Sequence, residues 1–349
     1  MMSVMEKSDL PEVARKRANK AVSTAAEPVE RRGGAKENAE LQSTVRTQSR
    51  EAVSRAQARI REAVTRNRQD KLTALLHHVN IEVLRAGFFG LKKTAAPGVD
   101  ERTWIEYAEH LEANLLSLHV RVHTGAYRAL PSRRKYIPKA DGRQRPLGIA
   151  AIEDKIVQAA VVTVLTPIYE SEFLGFSYGF RPKRNQHQAL DALAFGKRRI
   201  NWILDCDVQS FFDKVNQDWL VRFVEHRIGD RRIIRLIAKW LTAGVLEDGH
   251  LIETEEGTPQ GAVISPLLAN IYLHHAYDQW VHQWRQRCAT GDMIVVRYAD
   301  DSIAISERKA CDAASRCRTQ FSPPSSKLIT NYAATRASRG QPAAGRLRP

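Results

Sequence analysis

The chain has 349 residues, of which 43% are hydrophobic and 27% charged, a balance typical of a globular protein with its own core. Its 54 Lys and Arg outnumber its 39 Asp and Glu, and the net charge of +15 indicates a polyanionic partner. No apolar run approaches the ~20 residues of a membrane span, and the first residues contain no apolar signal segment, so we expect a cytoplasmic protein that does not enter a membrane.

The N-terminal part of the chain has no aromatic residue before position 51. Residues 1–50 mix Ala, Arg, Glu and Ser without a stable apolar period, which predicts a disordered basic extension. The pattern becomes helical afterwards, so residues 51–70 are predicted to form a helical extension.

Residues 71–200 alternate helical and extended patterns. Apolar residues recur at helical spacing from Tyr107 to Leu118, and a buried helix is expected over 156–165, closed by Pro167. Between them, residues 121–145 contain eight basic residues and one acidic residue, with prolines and a glycine that predict extended strands and turns. A solvated basic face is the simpler explanation of that charge.

Residues 201–306 contain the clearest strand signals. Residues 202–208 (WILDCDV) have period two, and residues 293–306 form two apolar half-strands around Tyr298-Ala299-Asp300-Asp301, as in a hairpin. A helix is predicted from Ile233 to Leu241, and Ser265 is a suitable N-cap for another.

Carboxylates occur where an apolar core would exclude them. Asp207 lies near the end of a strand, and Asp300 and Asp301 lie at the hairpin tip. Adjacent carboxylates among apolar neighbours repel each other, and a bound cation relieves that repulsion. Oxygen ligands of this kind suit Mg²⁺, although an Asp-Asp pair can also simply form a turn.

A set of motifs supports the catalytic interpretation. They occur in the order RPLGI (145–149), EDKIVQ (153–158), SYGFRP (177–182), DVQSFFD (207–213), GTPQGAVISPLLANIYL (257–273) and YADD (298–301). In order and spacing, this set resembles the reverse transcriptases encoded by bacterial group II introns, which are also maturases. YADD is specific for reverse transcriptases, and RPLGI and SYGFRP narrow the resemblance to the group II intron class.

The resemblance implies a role for each matching residue. It assigns the catalytic carboxylates to Asp207, Asp300 and Asp301, which would bind two Mg²⁺ ions together with the backbone carbonyl of Val208. Asp205 shares a strand face with Asp207, but the family spacing selects Asp207, six residues before Asp213. Asp213 itself is expected to be structural.

The same resemblance implies two sets of binding residues. One set would bind the incoming deoxynucleoside triphosphate: Lys139, Arg145, Val208, Phe212 and Gln260. In this set Phe212 would lie under the sugar and exclude a 2′-hydroxyl, although it could also be a core residue. The other set would contact the template: Arg181, Lys183 and Arg184. The family usually has a second glycine where this chain has Ala262.

The resemblance also implies an α/β (α+β) fold, the fingers and palm of a right-hand polymerase, with an antiparallel palm sheet backed by helices. Fingers are expected at 71–200 and palm at 201–306. After Ser306 the family continues with a thumb and a maturase domain, whereas residues 307–349 are rich in Ser, Arg, Ala and Pro, so an aberrant basic tail without a thumb is expected.

The expected function is Mg²⁺-dependent RNA-directed DNA synthesis, with intron RNA binding for splicing and retrohoming. Expected partners are intron RNA, an RNA template with a DNA primer, and deoxynucleoside triphosphates. If the chain is truncated, its activity is expected to be weak or absent. The alternatives are an RNA-binding remnant without polymerase activity, and a retron or phage-defence reverse transcriptase.

Overall fold

The computed structural model describes residues 34–66, 70–138, 142, 144–195, 202–208, 211–259, 261–287, 293–306 and 332–339. The α-helices are α1 (Gly34–Arg66), α2 (Ile81–Gly90), α3 (Trp104–Glu109), α4 (Leu111–Thr124), α5 (Ile152–Tyr169), α6 (Gln186–Phe195), α7 (Phe211–Lys214), α8 (Gln217–Arg227), α9 (Arg231–Thr242), α10 (Ser265–Leu273) and α11 (Gln279–Arg287). A 3₁₀-helix spans Leu76–His78, and a π-helix, His274–Asp278, joins α10 to α11.

Within the described ranges, the strands form two sheets of four. They are β1 (Ser132–Pro138), β2 (Gln144–Ile149), β3 (Trp202–Val208), β4 (Val245–Glu247), β5 (His250–Ile252), β6 (Met293–Tyr298), β7 (Asp301–Ser306) and β8 (Tyr332–Arg339). One sheet has the order β2-β1-β4-β5 and the other β6-β7-β3-β8. All neighbours in the second sheet are antiparallel, which confirms the predicted mixed fold with an antiparallel sheet and helices around it.

Two parts of the chain contain elements that the sequence did not predict. Helix α1 begins at Gly34, inside the stretch predicted to be disordered. Its middle packs on the body of the protein, because Ser49 is buried and its hydroxyl donates to Glu82 Oε2 at 3.1 Å. The second part is strand β8, which lies in the tail where the sequence predicted no element and pairs with β3.

Helix α5 is the central buried helix, and it continues past the proline that was predicted to end it. Pro167 lies inside α5, and because proline has no N–H, the carbonyl of Thr163 lacks its usual intrahelical donor. The amide Nε2 of Gln57, on α1, lies 3.4 Å from that carbonyl oxygen and donates to it. A contact from another helix therefore supports the helix at this position.

The core is formed mainly by helices packed on α5. Residues such as Ile156 and Leu165 of α5, Leu84 of α2 and Leu220 of α8 are fully buried. Ser265 opens α10, as predicted, but its hydroxyl donates to the carbonyl of Pro259 at 2.8 Å and does not cap the helix. No helix in the described part of the chain is long and apolar enough to cross a membrane.

Candidate active site

The register of the second sheet brings the predicted catalytic aspartates to one place. Asp207 on β3 is paired directly with Asp301 on β7, and Asp300 immediately precedes Asp301. Cα atoms of directly opposed residues in an antiparallel pair lie about 4.5–5.5 Å apart. Asp205 is instead opposite Ile303, two residues further from the hairpin turn. The backbone therefore favours Asp207 over Asp205 as the partner of the Asp300-Asp301 pair.

The turn that carries these carboxylates is tightly constrained. Strands β6 and β7 form a hairpin whose turn is Ala299-Asp300, and Ala299 has a left-handed backbone with φ of 57°. Ala299 is buried, Asp300 is half-buried and Asp301 is exposed. A left-handed conformation is unfavourable for a non-glycine residue, so it requires support from its surroundings.

That support comes from the segment Ser177–Phe180, which runs beside β6. The N–H of Tyr178 donates to the carbonyl of Arg297 at 2.8 Å, and the N–H of Arg297 donates to Phe176 at 2.9 Å. A Cβ atom on Gly179 would clash with the backbone nitrogen of Ala299. Only glycine allows this close approach, which explains the Gly in the SYGF sequence.

A buried ion pair underlies the turn, and sequence reasoning did not identify it. Arg297 and Asp278 are both fully buried, with Nε of Arg297 2.7 Å from Oδ1 of Asp278. The available signal was a charged residue inside the apolar run of β6. Sequence alone could not locate its partner on the π-helix.

A second loop, Gly257–Val263, packs between β2 and the start of α7. The N–H of Thr258 donates to the carbonyl of Phe212 at 2.7 Å, and the N–H of Val263 donates to Gln158 Oε1 at 2.9 Å. Gly261 has φ of 102°, and a Cβ there would lie 2.8 Å from the carbonyl oxygen of Gly148. These contacts connect four of the motifs recognised in the sequence.

The two adjacent phenylalanines occupy different environments. Phe211 is buried and its ring contacts Tyr272 edge-on, with 6.0 Å between centroids. Phe212 is only half-buried, and its backbone carbonyl is bound by the Gly257–Val263 loop. Phe211 is therefore a core residue, while Phe212 packs partly buried against the same core.

The other residues predicted to bind the nucleotide are placed as follows. Val208 is the last residue of β3, next to Asp207, and Arg145 is exposed on β2, opposite Ile137. Lys139 and Gln260 lie outside the described residues. Their neighbours belong to the β1–β2 hairpin and to the Gly257–Val263 loop.

The predicted template residues do not form a uniform group. Arg181 is buried, and its guanidinium donates to Glu170 and to the carbonyls of Leu174 and Ser177, both at 2.8 Å. Four of its five N–H groups are thereby used within the fold, so the structure argues against a template contact for Arg181. Arg184 donates to Ser177 at 3.3 Å and lies over the ring of Tyr178.

Lys183, by contrast, is exposed and has a left-handed backbone, with φ of 62°. Phe180 is also left-handed, with φ of 58°, and its side chain is 53% exposed. Phe180 is a bulky residue held in this conformation and exposed to solvent, which makes it a candidate template contact. From the sequence alone, it could equally have been a packing residue.

The donor atoms at the turn fit a hard divalent cation. Asp207, Asp300, Asp301 and the carbonyl of Val208 offer oxygen, the ligand type of Mg²⁺. Among the side chains that the structure describes, which include Asp300 and Asp301 but not Asp207, no group of three or more His, Cys, Asp or Glu has metal-binding geometry. The fit therefore rests on donor chemistry and on strand register.

Comparisons with known proteins give a family match for the chain. A profile described as "Reverse transcriptase (RNA-dependent DNA polymerase)" matches residues 137–323, more than half of the chain. Protein YkfC of Escherichia coli (strain K12) is 41% identical over 197 residues, which cover 55% of this chain and 51% of that protein. The group II intron-encoded protein LtrA of Lactococcus lactis subsp. cremoris is 42% identical over 166 residues, covering 47% of this chain and 27% of LtrA.

The matched region thus spans about half of YkfC and about a quarter of LtrA. Among solved structures, a partial Cas6-RT-Cas1–Cas2 complex aligns with a TM-score of 0.44 and 22% identity, covering 71% of this chain and 42% of that one. A likeness at this level carries no argument about function.

Proposed function

Because the chain belongs to the reverse transcriptase (RNA-dependent DNA polymerase) family, we propose that it provides the polymerase centre of a group II intron-encoded protein. The proposed reaction is RNA-templated addition of deoxynucleotides to a DNA primer. The observation that supports it best is the pairing of Asp207 with Asp301 beside the constrained Ala299-Asp300 turn.

Reverse transcriptases generally use divalent metal ions, and for this chain we propose two Mg²⁺ ions. Asp207, Asp300, Asp301 and the carbonyl of Val208 would hold them. When bound, such ions lower the pKa of an attacking hydroxyl and stabilise charge on a leaving phosphate. The protein's own contribution is to fix three carboxylates, one on β3, one on β7 and one in the turn that precedes β7.

The binding of substrates follows from the elements around the carboxylates. We propose that Phe212 packs under the sugar of the incoming nucleotide, with Arg145, Lys139 and Gln260 at its triphosphate and base. Arg145 offers the planar guanidinium that suits phosphate oxygens. On the template side the proposal keeps Lys183 and Arg184 and replaces Arg181 by the exposed Phe180.

Intron RNA is proposed as a further partner, as implied by the likeness to group II intron-encoded proteins. The net charge of +15 supports an RNA partner, because phosphate contacts dominate the affinity of such complexes.

Primer extension by the full chain, with an RNA template, a DNA primer and Mg²⁺, tests the proposal. Asp300→Asn should reduce extension by at least ~10³-fold, because several kcal/mol of transition-state stabilisation would be lost. RNA binding should change little. Asp205→Asn is the matched control, since it alters an exposed carboxylate two residues away from Asp207 on the same strand, and it should keep wild-type extension.

Three outcomes would contradict the proposal. They are extension by Asp300→Asn at a near wild-type rate, loss of extension in Asp205→Asn alone, and RNA binding by the wild-type chain with no extension at all. The last of these would favour an RNA-binding protein without polymerase activity.

A further inference from the structure

We propose that the buried Arg297–Asp278 ion pair is a positioning device for the carboxylate turn, and that Ser177 is part of it. The inference rests on the proposed polymerase function. It assigns to Arg297, Asp278 and Ser177 a role in setting the geometry of Asp300 and Asp301, and none of the three is proposed to contact the substrate.

The ion pair is enclosed and bidentate. Both side chains have no solvent exposure, and Nε and Nη2 of Arg297 each lie 2.7 Å from an oxygen of Asp278. Two parallel charge-assisted bonds fix the plane of the guanidinium as well as its position. Arg297 therefore acts as a rigid part of β6 immediately before the turn.

One further donor of Arg297 reaches the turn itself. Nη1 donates to the carbonyl oxygen of Ala299 at 2.7 Å, and that carbonyl belongs to the peptide bond that leads into Asp300. The orientation of this peptide bond helps to set the direction in which the Asp300 side chain leaves the backbone. The guanidinium thus holds the strained residue and the start of the catalytic pair in one conformation.

Other contacts of the guanidinium connect the turn to the SYGF segment and to α10. Nη2 donates to Ser177 Oγ at 2.7 Å, and Nη1 donates to Asn270 Oδ1 at 3.1 Å. Asn270 in turn donates to the carbonyl of Gly179 at 2.8 Å, directly beside Ala299. The turn is therefore supported from both sides by groups that meet at Arg297.

Stability alone does not account for this arrangement. A buried ion pair can often be replaced by well-packed apolar residues without loss of stability, because desolvation offsets the attraction between the charges. An apolar pair could not, however, donate to Ala299 and Ser177. The ion pair therefore matters for the turn through these hydrogen bonds, which an apolar pair would lose.

The π-helix that carries Asp278 agrees with this interpretation. It spans five residues, His274–Asp278, and Asp278 is its last residue. Widened turns of this kind are rare in helices and are frequent at functional sites. Here the widened turn ends on the residue that binds Arg297.

The test uses two variants of the full chain. The double substitution Arg297→Met with Asp278→Leu removes both charges and keeps the volume apolar. The midpoint of thermal unfolding should fall, because the carbonyl of Ala299 and the amide oxygen of Asn270 lose a buried donor. Ser177→Ala removes only the hydrogen bond between Arg297 and the Ser177 hydroxyl. It tests the proposal on its own if the double variant does not fold. The control is Asp230→Ala, which removes a buried carboxylate that accepts from the N–H groups of Leu75 and Leu76 at 2.9 Å, in another part of the molecule.

Two measurements are made on each protein. The first is Tb³⁺ luminescence, with Tb³⁺ alone as the probe and Tyr298, which is exposed beside the carboxylates, as the sensitiser. The second is primer extension, analysed for kcat and for the KM of the nucleotide. We expect the double variant to bind Tb³⁺ at least about tenfold more weakly and to lose at least about tenfold in kcat, with a smaller change in KM. Ser177→Ala should show the same pattern to a smaller degree.

The proposal is overturned if the folded variants retain wild-type Tb³⁺ affinity and kcat. It is also overturned if Asp230→Ala loses Tb³⁺ binding and kcat to the same extent, since the effect would then reflect general destabilisation. A wild-type chain without polymerase activity would contradict the proposed function only. Tb³⁺ binding by wild type and variants would still decide the positioning role.

Discussion

At the scale of single residues, Phe211 and Phe212 show how neighbours in sequence differ in burial. Phe211 is buried against Tyr272, whereas Phe212 is half-buried beside the Gly257–Val263 loop. Phe212→Val should increase incorporation of ribonucleotides relative to deoxyribonucleotides, because a smaller side chain leaves room for a 2′-hydroxyl. The measurement is the ratio of kcat/KM for matched nucleotide pairs.

The adjacent residue supplies the control for that experiment. Phe211→Ala should mainly lower the free energy of unfolding, by about 3–5 kcal/mol for a fully buried phenylalanine. Its nucleotide selectivity should stay that of the wild type. If Phe212→Val left the selectivity ratio unchanged, Phe212 would be a packing residue and not a sugar gate.

Buried histidines predict an acid dependence of stability. Burial lowers the pKa of His274 to about 4 and that of His275 to about 3. The charge of Arg297 lowers the pKa of His274 further, and the charge of His274 lowers the pKa of His275 further. The unfolded chain takes up these protons below about pH 6.5, whereas the folded chain does not. The contribution of both histidines to stability is therefore present above about pH 6.5 and is lost as the pH falls towards 4.

Replacing one of them isolates this contribution from the other titrating groups. Burial raises the pKa of Asp154 to about 6, which gives a slope of opposite sign between about pH 4 and pH 6. His275 stacks on Phe223 with 4.9 Å between ring centroids, so His275→Phe should fit. Urea unfolding from about pH 7.5 to about pH 5 should then show a loss of stability smaller than in wild type by up to about 2 kcal/mol. Equal losses in the two proteins would refute the linkage.

At the scale of elements, the Gly257–Val263 loop depends on one glycine. Gly261 is left-handed, and a Cβ there would lie 2.8 Å from the carbonyl oxygen of Gly148 on β2. Gly261→Ala should displace the loop from β2 and with it the predicted nucleotide residue Gln260. We expect the nucleotide KM in primer extension to rise at least about tenfold, equivalent to about 1.4 kcal/mol of binding.

Gly249 offers a matched control, because it is also left-handed, with φ of 81°, but no atom lies within 4 Å of its added Cβ. Gly249→Ala therefore carries the backbone strain of an L-residue, about 1–2 kcal/mol, without the steric clash. The KM should stay at the wild-type value. Similar KM changes in both variants would show that strain, and not the contact with β2, is responsible.

The elements that sequence predicted well are those with strong local signals. Strand β3 and the β6–β7 hairpin follow from alternation, and their predicted bounds match the structure. The differences from prediction occur where a distant contact decides the outcome. Helix α1 extends to Gly34, α5 continues through Pro167 beside Gln57, and β8 forms by pairing with β3. None of these contacts leaves a periodic pattern in the segment concerned.

At the scale of the whole molecule, the same distinction applies to the site. The juxtaposition of Asp207 with Asp301 was predictable because their motifs are local and an antiparallel hairpin next to β3 leaves few registers for Asp207. The contacts that support the turn were not predictable, because they join four separate elements, which carry Ser177, Asn270, Asp278 and Arg297. The internal contacts of Arg181 were not predictable for a related reason: its charge suggested RNA, whereas its guanidinium binds Glu170 and two backbone carbonyls.

The distribution of charge over the whole chain predicts how RNA binding depends on salt. The net charge is +15, and residues 307–349 contribute nine basic and two acidic residues. For a single-stranded RNA, the logarithm of the binding constant falls with the logarithm of the salt concentration by about 0.7 for each phosphate contact. A strong salt dependence is therefore expected, and it should be reduced when basic residues that contact RNA are removed.

Two sets of five substitutions to Gln locate those contacts. The first changes basic residues of the C-terminal segment outside β8: Arg316, Arg318, Lys327, Arg346 and Arg348. The second changes exposed arginines of α1: Arg50, Arg55, Arg59, Arg61 and Arg66. If the C-terminal segment binds RNA, the first set should reduce the magnitude of the salt slope by up to about 3.5, as five lost contacts require, and the second set should reduce it less. Fluorescence anisotropy of a labelled single-stranded RNA at several salt concentrations measures both slopes. A larger effect of the second set would place RNA binding on α1. Unchanged slopes in both variants would exclude these basic residues of α1 and of the C-terminal segment as the source of the RNA affinity.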